Sequence, residues 1–303
     1  MLRWRLVVGT LIVVIFAGLC WLDHLAPVPG IVLFPVAVLL AVLASAETLH
    51  LASAAGLHPV ASAVYGGNLL IIIGCWSPVF WSSMIEHDLD WPASSVIFLL
   101  AAYYRPSLAL AIGVLLAFAG EMRRYERPGS VTANLAAAVL ALVYVGLMLS
   151  FVVQLRLMWG IVALASLVIV VKMGDIGAYS VGRLVGRHKM APTLSPGKTV
   201  EGAIGSLAFG CLGSWATFCC LIPWLGVEHA ECGFRSNWLA FGLLVGGAGI
   251  LGDLAESLLK RDVGLKDSGS WLPGFGGVLD ILDSILVAAP VAYACWAFGL
   301  VGP

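Results

Sequence analysis

The chain has 303 residues, 61% of them hydrophobic and 11% charged, with 16 basic against 17 acidic side chains. Its mean hydropathy of +1.01 and its apolar share far exceed the roughly 45–50% apolar usage of soluble domains, which excludes a soluble globular protein. The net charge of −1 says nothing about partners, and nothing else calls for nucleic acid.

The apolar surplus falls in runs long enough to cross a ~30 Å hydrocarbon layer, which takes about 20 residues each. Nine such spans are expected, near 5–22, 30–47, 60–82, 95–118, 130–152, 157–176, 200–224, 237–257 and 279–300. The fold class is therefore all-α, a polytopic integral membrane protein. Arg3 and Arg5 precede the first run, but no small-residue cleavage pattern follows it, so an uncleaved anchor is expected rather than a signal peptide. Arg105-Pro106 interrupts the fourth run and is expected to break it into two half-helices.

With the N-terminus cytoplasmic, nine spans put Arg123, Arg124 and Arg127 inside, and also the loops holding Arg183, Arg187, Lys189 and Lys198 and holding Lys260, Arg261 and Lys266. Outer loops keep Arg156, Arg235 and the acidic Glu86-His87-Asp88-Leu89-Asp90, an asymmetry that follows the positive-inside rule. Residues 1–150 read as a transmembrane scaffold with almost no intramembrane charge, and residues 151–303 as the catalytic region, with polar groups at the cytoplasmic face. Glycines 202, 205, 210 and 213, then 242, 246, 247 and 249, mark close helix–helix packing. Cys20, Cys75, Cys211, Cys219, Cys220, Cys232 and Cys295 form no CxxC pair and read as small buried apolar residues.

Two constellations carry chemistry. Asp253, Glu256, Ser257 and Lys260 share one helix face at i, i+3, i+4 and i+7, and Asp280, Asp283 and Ser284 repeat the start of that pattern. Between them lie Asp262 to Gly269 and a glycine-rich turn containing Gly276 and Gly277, whose backbone N–H groups suit a phosphate. Facing carboxylate sets could hold Mg²⁺, which prefers hard oxygen ligands. The bland reading of Asp262 and Asp267 is ion pairing with Lys260, Arg261 and Lys266. The second constellation runs from Asp175 through Arg183 and Lys189 to Ser195-Pro196-Gly197-Lys198-Thr199 and Gly202. It lacks P-loop spacing and reads equally as a phosphate grip or a helix cap. His188 has no assigned role, and Lys172 either snorkels or pairs with Asp175.

At these residues the sequence resembles the CDP-diacylglycerol synthases, also called phosphatidate cytidylyltransferases. Ser257, Lys260, Arg261, Lys266, Asp267, Pro273, Gly276, Gly277, Asp280 and Asp283 stand at the positions of that family's signature, and Gly252-Asp253-Leu254-Ala255-Glu256 and the stretch from Asp175 to Gly202 match its other blocks. Phe275 stands where the family usually has His, Ile281 where it has Arg, and Gly197 where it often has Lys.

The resemblance implies a nucleotidyltransferase in phospholipid biosynthesis that joins CTP and phosphatidate into CDP-diacylglycerol and pyrophosphate, with Mg²⁺ and room for a second cation. It implies Asp253 and Asp280 as metal ligands, with Glu256, Asp283 and Asp175 as further candidates. Asp253, Asp280, Lys260 and Lys266 would be catalytic. Ser195, Lys198, Thr199, Ser257, Arg261, Gly276 and Gly277 would bind substrate. A homodimer in the cytoplasmic (inner) membrane, with its active site on the cytoplasmic side, is the implied setting. The rival readings are a cytidylyl- or phosphoryltransferase acting on a polyprenyl phosphate or lipid alcohol, and a transporter, which would string polar residues through the midplane in two related halves.

Overall fold

A computed structural model describes residues 2–85, 96–222, 237–269 and 276–302. Phe275, Pro273, Arg235, Cys232 and the acidic Glu86 to Asp90 lie outside the described residues. The elements are α1 (Leu2–Leu25), α2 (Leu33–Ala54), α3 (Ala61–Ile85), α4 (Val96–Arg123), α5 (Val131–Ala141), a π-helical turn (Leu142–Leu147), α6 (Met148–Val185), β1 (Lys189–Ala191), β2 (Ser195–Thr199), α7 (Val200–Ala216), a second π-helical turn (Thr217–Leu221), α8 (Trp238–Asp262) and α9 (Leu279–Ala297). The chain is thus a multi-pass, all-helical membrane protein with, among the described residues, a small antiparallel hairpin in which Lys189 pairs with Thr199 and Ala191 with Ser195.

Eight helical stretches among the described residues are long and apolar enough to cross a membrane. The expected spans near 130–152 and 157–176 lie in one of them, Val131–Val185, whose 55 residues far exceed the ~20 of a single crossing. Gly160, with φ 80° and ψ −167°, breaks that stretch, a backbone conformation closed to residues with a Cβ.

The chain packs as two units, residues 1–157 with 267–280, and residues 158–266 with 281–303. In the first, α3 and α4 meet where Gly67 and Gly113 remove side chains. A Cβ on Gly67 would come 3.1 Å from Gly113 Cα. The expected break at Arg105-Pro106 does not occur, because α4 runs unbroken through Pro106. Arg105 Nη1 donates to Ser77 Oγ at 3.0 Å, and α3 passes close enough that a Cβ on Gly74 would lie 3.6 Å from the Arg105 carbonyl oxygen, so neighbouring contacts hold the helix across the missing amide.

The first unit also holds buried charge, contrary to the expectation of a nearly uncharged scaffold. Asp23, Glu47, Glu121 and Arg156 are all buried. Arg156 is not a loop residue: it lies within α6 and its Nε donates to Asp23 Oδ2 at 2.6 Å. Asp23 accepts further from the backbone N–H groups of Gly30, Val32 and Leu33, so one carboxylate both neutralises the guanidinium and caps the start of α2. Arg156 therefore drops out of the charge balance between loops.

In the second unit, glycines let helices touch. A Cβ on Gly205 of α7 would sit 2.6 Å from the Val181 side chain of α6, and one on Gly242 of α8 would sit 2.7 Å from Cys211 Cα of α7. Trp159 meets Tyr293 edge-on at 5.1 Å, and Trp296 Nε1 donates to Ser166 Oγ at 3.3 Å, fastening α9 to α6.

Candidate active site

The helical spacing of α8 puts Asp253, Glu256, Ser257 and Lys260 on one face. Glu256 is fully buried, and Lys260 Nζ donates to its Oε2 at 2.6 Å, an i, i+4 pair. Asp253, whose side chain is 42% exposed, has its Oδ1 2.7 Å from Lys198 Nζ. That contact is an ion pair outside hydrogen-bond alignment. It joins α8 to the last turn of chain before α7, because Lys198 is the penultimate residue of β2.

On α6, Lys172 Nζ donates to Asp175 Oδ2 at 3.0 Å, the second of its two expected roles, and to the Ile281 carbonyl oxygen of α9 at 3.2 Å. Asp283 is buried on the first turns of α9. Gly252 makes the approach of α9 to α8 feasible, since a Cβ there would lie 2.9 Å from Ser284 Cα and would overlap the Asp283 carbonyl oxygen. Within one unit, α9 thus approaches α6 at Lys172–Ile281 and α8 at Gly252–Ser284, on elements that carry the pairs Lys172–Asp175 and Lys198–Asp253 and the buried Asp283.

The neighbouring residues have mixed engagements. Thr199 is buried and serves as the N-cap of α7, its Oγ1 accepting from Gly202 N at 3.1 Å. Glu201 accepts from the backbone N–H groups of Arg187 and His188 and lies 2.6 Å from His188 Nδ1, holding the chain as it enters the hairpin. Arg261 donates to the carbonyls of Leu194 and Leu265, at 3.3 and 3.1 Å. Lys266, Asp262 and Asp267 are exposed, Ser195 is half-buried, and Ser257 is buried beside Glu256.

Asp280 belongs to the first unit, with the glycine-rich turn. Its Oδ2 accepts from Ser268 N at 3.0 Å, from Gly277 N at 2.7 Å, and lies 2.9 Å from Ser268 Oγ. Gly276 has φ +90°, and a Cβ there would overlap Asp280 Oδ2, so the turn requires glycine twice over. Sequence reasoning missed the partner on the other side. Glu47 of α2, buried at 2% exposure, accepts from Val278 N at 2.8 Å and Leu279 N at 2.7 Å, and lies 2.8 Å from Ser268 Oγ. The signal was present, because a glutamate inside an apolar span is costly unless something holds it.

Among the described residues, no group of three or more His, Cys, Asp or Glu side chains is gathered tightly enough to hold a metal ion. The donor chemistry nevertheless suits a hard cation. Asp175, Asp253 and Asp283 offer only carboxylate oxygens, and two of the three already draw an ammonium.

The family description that matches is the Cytidylyltransferase family, over residues 3–298, and the chain belongs to it. It is 43% identical over 123 residues to a phosphatidate cytidylyltransferase of Synechocystis sp., covering 39% of this chain and 38% of that protein. It is 39% identical over 173 residues to one of Mycobacterium bovis, covering 56% and 52%, and 37% identical over 158 residues to one of Staphylococcus aureus, covering 52% and 56%. The matched stretches span about half the length of these curated relatives or less.

Proposed function

We propose that this member of the cytidylyltransferase family transfers the cytidylyl group of CTP to phosphatidate within the membrane, giving CDP-diacylglycerol and pyrophosphate. The observation that carries the reading is the approach of α9 to α6 and α8, at Lys172–Ile281 and Gly252–Ser284, in a chain that belongs to the Cytidylyltransferase family. Those helices carry Asp175, Asp253 and Asp283, with Lys172 beside Asp175 and Lys198 beside Asp253. A phosphatidate phosphate oxygen bonds to the α-phosphorus of CTP while the bond from that phosphorus to the β-phosphate's bridging oxygen breaks, and pyrophosphate leaves with the electron pair. The attacking oxygen is already anionic near neutral pH, so the step needs alignment and charge neutralisation rather than a strong base.

Asp253, Asp283 and Asp175 are the carboxylates of the second unit that would supply oxygens to Mg²⁺, with Glu256 beside them on α8, and Asp280 is the carboxylate that the first unit would supply. A bound Mg²⁺ supplies electrostatic stabilisation to the phosphates, and a second cation would extend it. Lys198, whose ammonium nitrogen is buried against Asp253, would meet a CTP phosphate once that pair opens. Lys260, Lys266 and Arg261 supply further positive charge and Ser195 and Ser257 hydroxyl contacts, while Gly276 and Gly277 shape the turn that holds Asp280, Gly277 N being already engaged by Asp280 Oδ2. Thr199 contributes by fixing the start of α7. The acyl chains stay in the bilayer, which accounts for building a transferase from membrane helices. The clustering of Arg and Lys in alternate loops supports a cytoplasmic N-terminus and a site facing the cytoplasm from the inner membrane. The working form is a homodimer.

Purified protein in nanodiscs, given CTP, phosphatidate and Mg²⁺, should release pyrophosphate and form CDP-diacylglycerol in equal amounts. Omission of Mg²⁺ should stop both. Product from a polyprenyl phosphate or lipid alcohol, with none from phosphatidate, would overturn the acceptor assignment.

A further inference from the structure

We infer that Glu47, from the half of the chain without recognisable motifs, is a positioning residue that orients Asp280 for its cation. The inference rests on the reading above that Asp280 is one of the catalytic carboxylates. Glu47 is 2% exposed inside an apolar helix, and among the described residues its hydrogen-bond partners are Val278 N, Leu279 N and the Ser268 hydroxyl, none of them charged. The two amides belong to the opening of α9, where the first N–H groups have no intrahelical acceptor and the helix dipole favours a negative charge. A glutamate from a distant helix thus does the work that a local cap does elsewhere.

Ser268 makes the arrangement more than a cap. Its Oγ lies 2.8 Å from Glu47 Oε2 and 2.9 Å from Asp280 Oδ2. A hydroxyl has one proton, so it donates to one carboxylate at a time. Ser268 N and Gly277 N also donate to the same Asp280 oxygen, at 3.0 and 2.7 Å. Any hold that Glu47 has on Ser268 and on the amides at 278 and 279 is therefore a hold on where Asp280 Oδ2 sits. The glycines confirm how tight the lattice is. A Cβ on Gly277 would overlap both Glu47 Oε2 and Ser268 Oγ, and one on Gly269 would lie 2.7 Å from Glu47 Oε1. This part of the turn has room for backbone alone.

Partners that orient a metal ligand typically change metal affinity or activity by about 10- to 100-fold when removed. The test uses the full chain in nanodiscs and two variants. Glu47→Gln keeps the shape but turns an NH₂ toward backbone N–H groups. Ser268→Ala leaves Glu47 on Val278 and Leu279 and removes only the link to Asp280. Mn²⁺ binding, read by electron paramagnetic resonance without substrate, should weaken about 10-fold or more in both. The Mg²⁺ concentration for half-maximal turnover should rise to match, with KM for phosphatidate unchanged.

A purely structural Glu47 would instead lower the thermal midpoint and the active fraction while leaving Mn²⁺ affinity intact, and that result overturns the inference. So does a wild-type protein that binds no Mn²⁺. Weakened Mn²⁺ binding in both variants, together with a wild type that makes no CDP-diacylglycerol, leaves the inference standing and removes the proposed function instead.

Discussion

Gly252→Ala is a one-methyl change that should cost most of the activity. In the present structure the added Cβ would lie 2.9 Å from Ser284 Cα and 3.1 Å from Val287 Cβ, and would overlap the Asp283 carbonyl oxygen. Carbon atoms rest about 3.5–4.0 Å apart, so α9 must withdraw from α8 by roughly 1 Å at that point. Two of the three neighbours are backbone, and no rotamer change relieves them. Overpacking of this kind costs about 1–3 kcal/mol of stability. The larger effect is on geometry, because the displaced residues carry Asp283 and the substituted one adjoins Asp253. A misplacement of about 1 Å can lower a rate about 100-fold. Gly247→Ala on the same helix is the control. A Cβ there meets nothing within 4 Å, and alanine favours the helix by about 0.8–1 kcal/mol. CDP-diacylglycerol formation and thermal unfolding would be measured for both variants in one detergent. Turnover by Gly252→Ala within about twofold of wild type would refute the claim that the Asp253–Asp283 approach sets the rate.

Asp253→Asn should abolish product formation with little change in unfolding temperature, since its side chain is 42% exposed and asparagine keeps its shape beside Lys198; turnover and circular dichroism on one sample check both halves. Arg156→Ala should cost about 3–5 kcal/mol, because it strands the buried Asp23 carboxylate, and a large drop in unfolding midpoint is the readout. Thr199→Val should cost about 1 kcal/mol by removing the N-cap of α7, with a lowered thermal midpoint and a smaller loss of turnover than Asp253→Asn.

The order of chemical groups along the chain was legible because helical periodicity places side chains by arithmetic. Asp253, Glu256, Ser257 and Lys260 fall on one face of α8 as their spacing demands, and Lys172 reaches Asp175 across one turn. Hydropathy located the spans for the same reason, since length and apolar content alone decide what crosses lipid. What sequence could not supply were partners from distant helices. Glu47 lies 231 residues from Val278 and Asp23 lies 133 from Arg156, and no local pattern pairs them. Arg105-Pro106 failed as a break because Ser77 on another helix supports it. Ser195 to Thr199 had two readings, and the structure gives the strand-to-helix passage a cap at Thr199 while leaving Lys198 on Asp253.

The Lys198–Asp253 pair leads to a prediction with opposite signs on two ligands. In the protein without nucleotide, the ammonium is the counter-charge of the carboxylate at 2.7 Å, with the ammonium nitrogen buried and the carboxylate side chain 42% exposed. With the carboxylate still 42% exposed, such a pair is worth about 1 kcal/mol, so the lysine competes with a metal ion by about fivefold in affinity. Lys198→Gln should then tighten Mn²⁺ binding at Asp253 by up to that factor when no CTP is present, because the carboxylate loses a competitor and keeps its charge. The same substitution should raise the KM for CTP, because the nucleotide loses a cation that would neutralise its phosphates. A lysine that merely ties β2 to α8 would move neither quantity in this way. Loss of the tie would loosen the hairpin and weaken both ligands together, and that common sign in a Mn²⁺ titration and a CTP dependence would sink the argument.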